Sequence, residues 1–99
     1  MYTSMKEILQ HASVNHYAVP APNCPSYNMV KAACMAAEAK KSAVILDLSP
    51  RQFKMNATPE VWAPMVKAIA EPLNVPVALN LDHGAEFEDI CRCIKTGFS

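Results

Sequence analysis

Apolar positions along the chain change period several times, and each change marks an element. Met5, Ile8, Leu9 and Ala12 recur at helical spacing behind Ser4-Met5-Lys6-Glu7, a capping box with Ser at the N-cap and Glu three residues on. Asn15, which tolerates a left-handed backbone, is placed to end that helix. Residues 17–21 read as a short strand, weakened by Pro20. From about Ser26 to Lys41 an Ala-rich stretch puts Met29, Val30, Ala33 and Ala37 on one helical face, and Lys40 and Lys41 suit its negative end. Ala43-Val44-Ile45-Leu46-Asp47-Leu48 is a continuous apolar run closed by Ser49-Pro50, which reads as a turn. Such runs fit parallel strands buried on both faces.

The second half repeats the alternation. Thr58-Pro59 predicts an N-cap followed by Pro at the first helical position, with Val61, Met65 and Ile69 inward. Pro64 should kink that helix or delay its start, and Pro72 should end it. Residues 75–81 read as a third strand. The last helix spans about residues 86–96, with Phe87, Ile90, Cys91 and Ile94 inward and Gly97 as its C′ residue. A leading helix followed by three strand–helix units predicts an α/β fold with a parallel sheet.

Right-handed crossovers put the helices of sequential parallel strands on one face and leave the other bare. Reversing the winding or closing a barrel solves this. Side-chain parity favours the barrel. Val75, Val77, Leu79 and Leu81 share one side of the third strand; Pro76, Ala78, Asn80 and Asp82 share the other. Val44, Leu46 and Leu48 likewise oppose Ile45, Asp47 and Ser49, and Val19, Ala21 and Asn23 follow the same trend. The second side turns polar toward the strand ends, where barrel active sites sit. A TIM (β/α)8 barrel takes about 250 residues, so 99 residues would hold about three eighths of one and stop before a fourth strand. No linker or domain boundary is visible within residues 1–99.

Composition narrows the function classes. Nine basic against nine acidic side chains leave no basic footprint for nucleic acid and no polybasic membrane patch. No apolar run approaches the ~18 residues of a membrane span. The charged, amphipathic start is unlike a secretory signal, which predicts a cytoplasmic chain. There the four cysteines, Cys24, Cys34, Cys91 and Cys93, are expected as reduced, buried or half-buried thiols, since Cys-x-Cys on a helix does not converge. Only two glycines are present, and no phosphate-cradling motif appears.

The sharpest chemical cluster is Leu79-Asn80-Leu81-Asp82-His83-Gly84, with Asp and His adjacent at a strand end before a glycine turn. A neutral imidazole ligates zinc and a carboxylate beside it can shuttle a proton; an Asp helix cap and a surface His fit the same residues. His11 and His16 read as surface residues. Asp47, inside a buried strand, needs a partner or a barrel interior. Arg51 and Lys54, after Ser49-Pro50, suit either an anion or solvent.

Taken together, these segments resemble the N-terminal part of class II, zinc-dependent fructose-bisphosphate/tagatose-bisphosphate aldolases. The resemblance is carried by Ser4-Met5-Lys6-Glu7, Tyr17-Ala18-Val19-Pro20-Ala21-x-Asn23, Lys41-Ser42-x-Val44-Ile45-Leu46 with Ser49, Val75-Pro76-Val77-Ala78-Leu79-x-Leu81-Asp82-His83-Gly84, Phe87-Glu88 and Ile94-Lys95-x-Gly97-Phe98-Ser99. It implies a partial TIM barrel, residues 1–99 being the N-terminal fragment of one barrel domain. It implies reversible cleavage of a ketose 1,6-bisphosphate to dihydroxyacetone phosphate and glyceraldehyde 3-phosphate, in carbohydrate metabolism. His83 would be one of three zinc-binding histidines and Asp82 the acid/base where the carbon–carbon bond breaks. Asn23 and Ser49 match positions near bound substrate, and the full-length parent is expected as a homo-oligomer. The pattern departs at Pro22, usually aromatic, at Asn80, usually His, and in the Pro50-Arg51-Gln52-Phe53-Lys54 run, commonly glycine-rich. The remaining zinc ligands, the second acid/base and the phosphate loops belong to later strands, so the fragment alone is expected to be inactive. Two other readings stand beside this one: a non-catalytic fragment associating through open sheet edges, and a small doubly wound binding domain, which the missing glycine fingerprint disfavours.

Overall fold

Capping side chains and chain breakers set the element boundaries in the computed structural model, which describes all of residues 1–99. The elements run α1 (Met5–Val14), α2 (Tyr27–Lys40), β1 (Val44–Leu48), α3 (Pro50–Asn56), α4 (Pro59–Ala70), β2 (Val77–Leu81) and α5 (Phe87–Thr96). Ser4 and Ser26 cap α1 and α2 by accepting from the Glu7 and Met29 amides. The left-handed residue after α1 is His16, φ 55°, rather than the expected Asn15, and Lys41 plays that part after α2. α4 begins with Pro59 at its first position and runs unbroken through Pro64, which lies on its exposed side.

The run after β1 is a helix, not the expected turn. Ser49 accepts from the Gln52 amide while the Gln52 side chain returns to the Ser49 amide at 2.8 Å, a reciprocal capping box. Pro50 occupies the first helical position, where its missing N–H costs nothing.

β1 and β2 pair in parallel, with Val44 opposite Val77 and Asp47 opposite Asn80. The expected first strand is not one. Residues 17–23 lie extended beside β1, and Pro20 and Pro22 accept hydrogen bonds from the Ile45 and Asp47 amides at 3.0 Å. Having no amide, those prolines return none, so the ladder is half made. Only at the Asn23–Asp47 bridge do regular pairs resume. On the far side of β2, Val77 bonds to Met1 and Thr3, and the Ser99 amide donates to the Leu79 carbonyl at 2.8 Å.

Parity sorts the two faces as expected. Val44, Leu46, Leu48, Val77 and Leu79 join the main core with Val30, Cys34, Trp62, Val66 and Cys93 from the helices. On the other face, Ile45 and Ala78 meet only Ile8 of α1, with Met5, Val19 and Ala43 at the edge. Thus α1 closes the lower end of that face and leaves its upper end open.

Two helices, α4 and α5, bury faces other than those predicted, and α1 and α2 depart at one position each. α4 buries Pro59, Trp62, Ala63, Val66 and Ala70, while Val61 is exposed. In α2 Cys34 replaces Met29 in the core, and in α1 Leu9 is exposed. α5 buries Asp89 and Cys93, whereas Phe87 is 81% and Ile94 63% exposed. In α4 apolar residues lie all round, and in α5 the apolar side faces solvent, so spacing alone does not say which side meets the sheet.

Candidate active site

The open upper end of the sheet collects the polar side chains of its strands. Asn23, Asp47 and Asn80 occupy one rung, because Asn23 pairs with Asp47 and Asp47 with Asn80 in register. Residues paired in this way project to the same face. Asn80 Nδ2 donates to Asp47 Oδ1 at 2.9 Å, which supplies the partner that a half-buried carboxylate needs. The Asp82 amide donates to the Leu48 carbonyl at 3.1 Å, so the ladder continues past the end of β2 and holds Asp82 one step above Asn80.

Asp82 Oδ2 lies 3.4 Å from His83 Nε2; the imidazole is 82% exposed and the carboxylate 38%. Asp82 does not cap α5, whose N-cap is Glu86 with no side-chain hydrogen bond. The sharp turn falls at His83 itself, φ 55°, and not at Gly84 as expected. Gly84 is closely packed instead: a Cβ there would sit 2.9 Å from Leu81 Cδ2 and 3.2 Å from Ile90 Cγ1, so those side chains would have to shift.

Ser49 stands at the top of β1 as the N-cap of α3. It lines a cavity of about 340 Å³ with Arg51, Lys54, His83, Glu86 and Asp89. Lys54 Nζ reaches the buried Asp89 at 2.7 Å, tying the helix after β1 to the helix after β2. Arg51 makes no ion pair.

The other candidates lie elsewhere. His11 bonds through Nδ1 to the Tyr17 hydroxyl at 2.8 Å, below the sheet, and His16 is exposed. All four cysteines are free thiols. Burial pushes Cys24 and Cys93 up to about 11 and raises Cys34 as well, so these thiols stay protonated and act as core residues.

No three His, Cys, Asp or Glu side chains of residues 1–99 converge to hold a metal. A catalytic zinc takes three protein ligands. One exposed imidazole beside one carboxylate does not make that set, so the residues of this chain do not by themselves fit a zinc ion. No helix is long and apolar enough to cross a membrane.

Comparison with known proteins gives the chain a family. The family model described as fructose-bisphosphate aldolase class-II matches residues 3–99. The chain belongs to that family. It is 41% identical to the fructose-bisphosphate aldolase of Mycoplasma pneumoniae over all of its own length and 35% of the relative's. It is 38% identical to the 6-phospho-5-dehydro-2-deoxy-D-gluconate aldolase of Bacillus licheniformis over 99% of its length and 34% of that protein's. The crystal structure of the YdjI aldolase from Escherichia coli K12 superposes with a TM-score of 0.87 at 28% identity, covering 99% of this chain and 38% of that one. The chain thus spans about a third of the length of the aldolases it matches. The class II aldolase family is one of lyases, and the chain shares its α/β architecture with a solved member.

Two features of this aldolase-family segment were not singled out as sites in the sequence. One is the Asp47–Asn80 pair, whose signal was a polar residue at the fourth position of both β1 and β2. The other is Lys54–Asp89, which bridges residues 35 apart and has no local signature.

Proposed function

We propose that residues 1–99 form the N-terminal part of a TIM-barrel, zinc-dependent ketose-bisphosphate aldolase. A fructose or tagatose 1,6-bisphosphate is cleaved reversibly to dihydroxyacetone phosphate and glyceraldehyde 3-phosphate. The observation that carries this reading is the polar upper end of the sheet, rung Asn23–Asp47–Asn80 below Asp82-His83, in a chain of the class II aldolase family. The bare upper face and the Ser99–Leu79 hydrogen bond support the barrel, since that bond is the kind a further parallel strand on the β2 edge would make.

Breaking the carbon–carbon bond requires a base on the hydroxyl of the carbon that becomes the aldehyde. Asp82 takes that role: its carboxylate is partly open to solvent and fixed by the ladder bond of its own amide. His83 supplies one imidazole of a zinc site whose other ligands lie in the remainder of a full-length domain. Asn23, from the extended segment beside β1, and Ser49, from the top of β1, contact substrate. The 99-residue chain by itself is inactive, because its own donors do not complete the metal site.

The test is a chimera joining residues 1–99 to the remaining two thirds of the Mycoplasma pneumoniae aldolase. It should cleave a ketose 1,6-bisphosphate. Asp82→Ala should lower turnover at least 100-fold with zinc content retained, and His83→Ala should lower the zinc content itself. Normal turnover in both variants overturns the assigned roles. The isolated chain has a second reading, a non-catalytic fragment associating through its sheet edge, favoured by the exposed Ile94 beside Leu81 and Ser99.

A further inference from the structure

We propose that Asp47 and Asn80 form a hydroxyl-recognising pair, in which Asp47 positions the Asn80 carboxamide and Asn80 Oδ1 accepts from the 2-hydroxyl of the aldehyde half of the substrate. This rests on the aldolase reading above and adds a specificity-determining residue to it.

The two side chains are register partners on adjacent strands, and the 2.9 Å bond from Asn80 Nδ2 to Asp47 Oδ1 is the only hydrogen bond either side chain makes. An ionised carboxylate accepts and cannot donate, so the amide nitrogen must be the end that faces it. The carbonyl end of Asn80 is therefore turned away from Asp47. No cation competes for Asp47: the basic partners in the chain's ion pairs are Lys54 with Asp89 and Arg92 with Glu60, besides the His83–Asp82 contact.

The rung consequently offers acceptors. Asp47 Oδ2, Asn80 Oδ1 and, one step higher, the Asp82 carboxylate have no protein donor beyond the His83 contact. Neutral donors fit such a surface, and a phosphate beside two carboxylates is repelled. Sugar hydroxyls fit it and the phosphate of the same substrate does not. Asn80 stands next to Asp82 on one face, so it meets the hydroxyl adjacent to the one Asp82 serves. On the ketone side that neighbour belongs to the half held at His83, which leaves the 2-hydroxyl of the aldehyde for Asn80. Asp47 is a positioning residue: without it the carboxamide is free to flip.

The chimera described above tests the pair with glyceraldehyde 3-phosphate and its 2-deoxy analogue, each condensed with dihydroxyacetone phosphate. Asn80→Ala should lower kcat/KM for glyceraldehyde 3-phosphate about tenfold and leave the deoxy aldehyde nearly unchanged. Asp47→Ala should shift the same ratio in the same direction and add nothing in the Asn80→Ala background. A merely structural pair would lower both substrates equally, and that result overturns the proposal. Binding of an inert hexitol bisphosphate by calorimetry gives a second readout should turnover be lost. Asn80→Ala should weaken it about tenfold without weakening its 5-deoxy form, and equal weakening of both overturns the pair. An unmutated chimera that neither cleaves a ketose bisphosphate nor binds the hexitol overturns the aldolase reading, and the pair with it.

Discussion

A single side chain ties the helix after β1 to the helix after β2. Lys54 is 58% exposed, yet its ammonium is the partner of an Asp89 side chain that is only 12% exposed. Lys54→Met leaves that carboxylate buried without a partner, and should destabilise the chimera by about 1–3 kcal/mol in urea unfolding. The order of Asp82, His83 and Ser49 at the ends of the strands was legible from side-chain parity, and Asn23 meets them only through an isolated bridge to Asp47. What they do locally was less legible. Ser49-Pro50 suggests a turn until Gln52 is seen to close the capping box from three residues away. Gly84 looks like a turn residue, but its constraint is tertiary: the side chains of Leu81 and Ile90 crowd the place of a Cβ. The first is present in the local sequence as Ser-x-x-Gln, and the expectation of a turn missed it; the second depends on how Leu81 and Ile90 pack.

At the level of elements, period and caps located every helix but α3, and both strands of the ladder. They failed on which side α4 and α5 bury. The outcome separates two substitutions. Leu46→Ala, in a fully buried strand position, should cost about 2–5 kcal/mol, whereas Val61→Ala, on the exposed side of α4, should cost under about 1 kcal/mol. Urea midpoints of the two variants check the contrast. The missing first strand has a physical cause too. Pro20 and Pro22 keep the extended shape that alternation predicts and remove the amides that would make it a ladder.

α4 and α5 are also joined on the outside by a bidentate pair, Arg92 Nε and Nη2 to Glu60 at 2.7 and 2.8 Å. That hydrogen bonding holds the Glu60 carboxyl at about 2 rather than 4.5. Because the group is depressed in the folded state, its contribution is full above the unfolded value. It fades as pH falls from about 4.5 toward about 2. Glu60→Gln should therefore flatten the stability–pH curve in that acid window. The pair is exposed, so the change is small.

The molecule as a whole has a radius of gyration of 12.7 Å, close to the ~13 Å of a complete domain of 100 residues. Its helices achieve this by covering one face of the sheet, while α1 covers only the lower end of the other. Parity had already indicated that imbalance, since each strand has one bulky side and one that turns polar. The pairing edge follows from topology and lies beyond local reading. The isolated chain should accordingly self-associate at micromolar concentration in sedimentation velocity. Leu81→Lys, at the last position of the β2 edge, should reduce that association. A monomer that melts cooperatively would overturn the incomplete-barrel reading.

The same edge has a meaning in the life of the protein inside a cell. A strand end beside exposed Ile94 is the kind of surface that chaperones retain and proteases sample. A partner that covers that edge should therefore raise the abundance of the free chain by slowing its turnover.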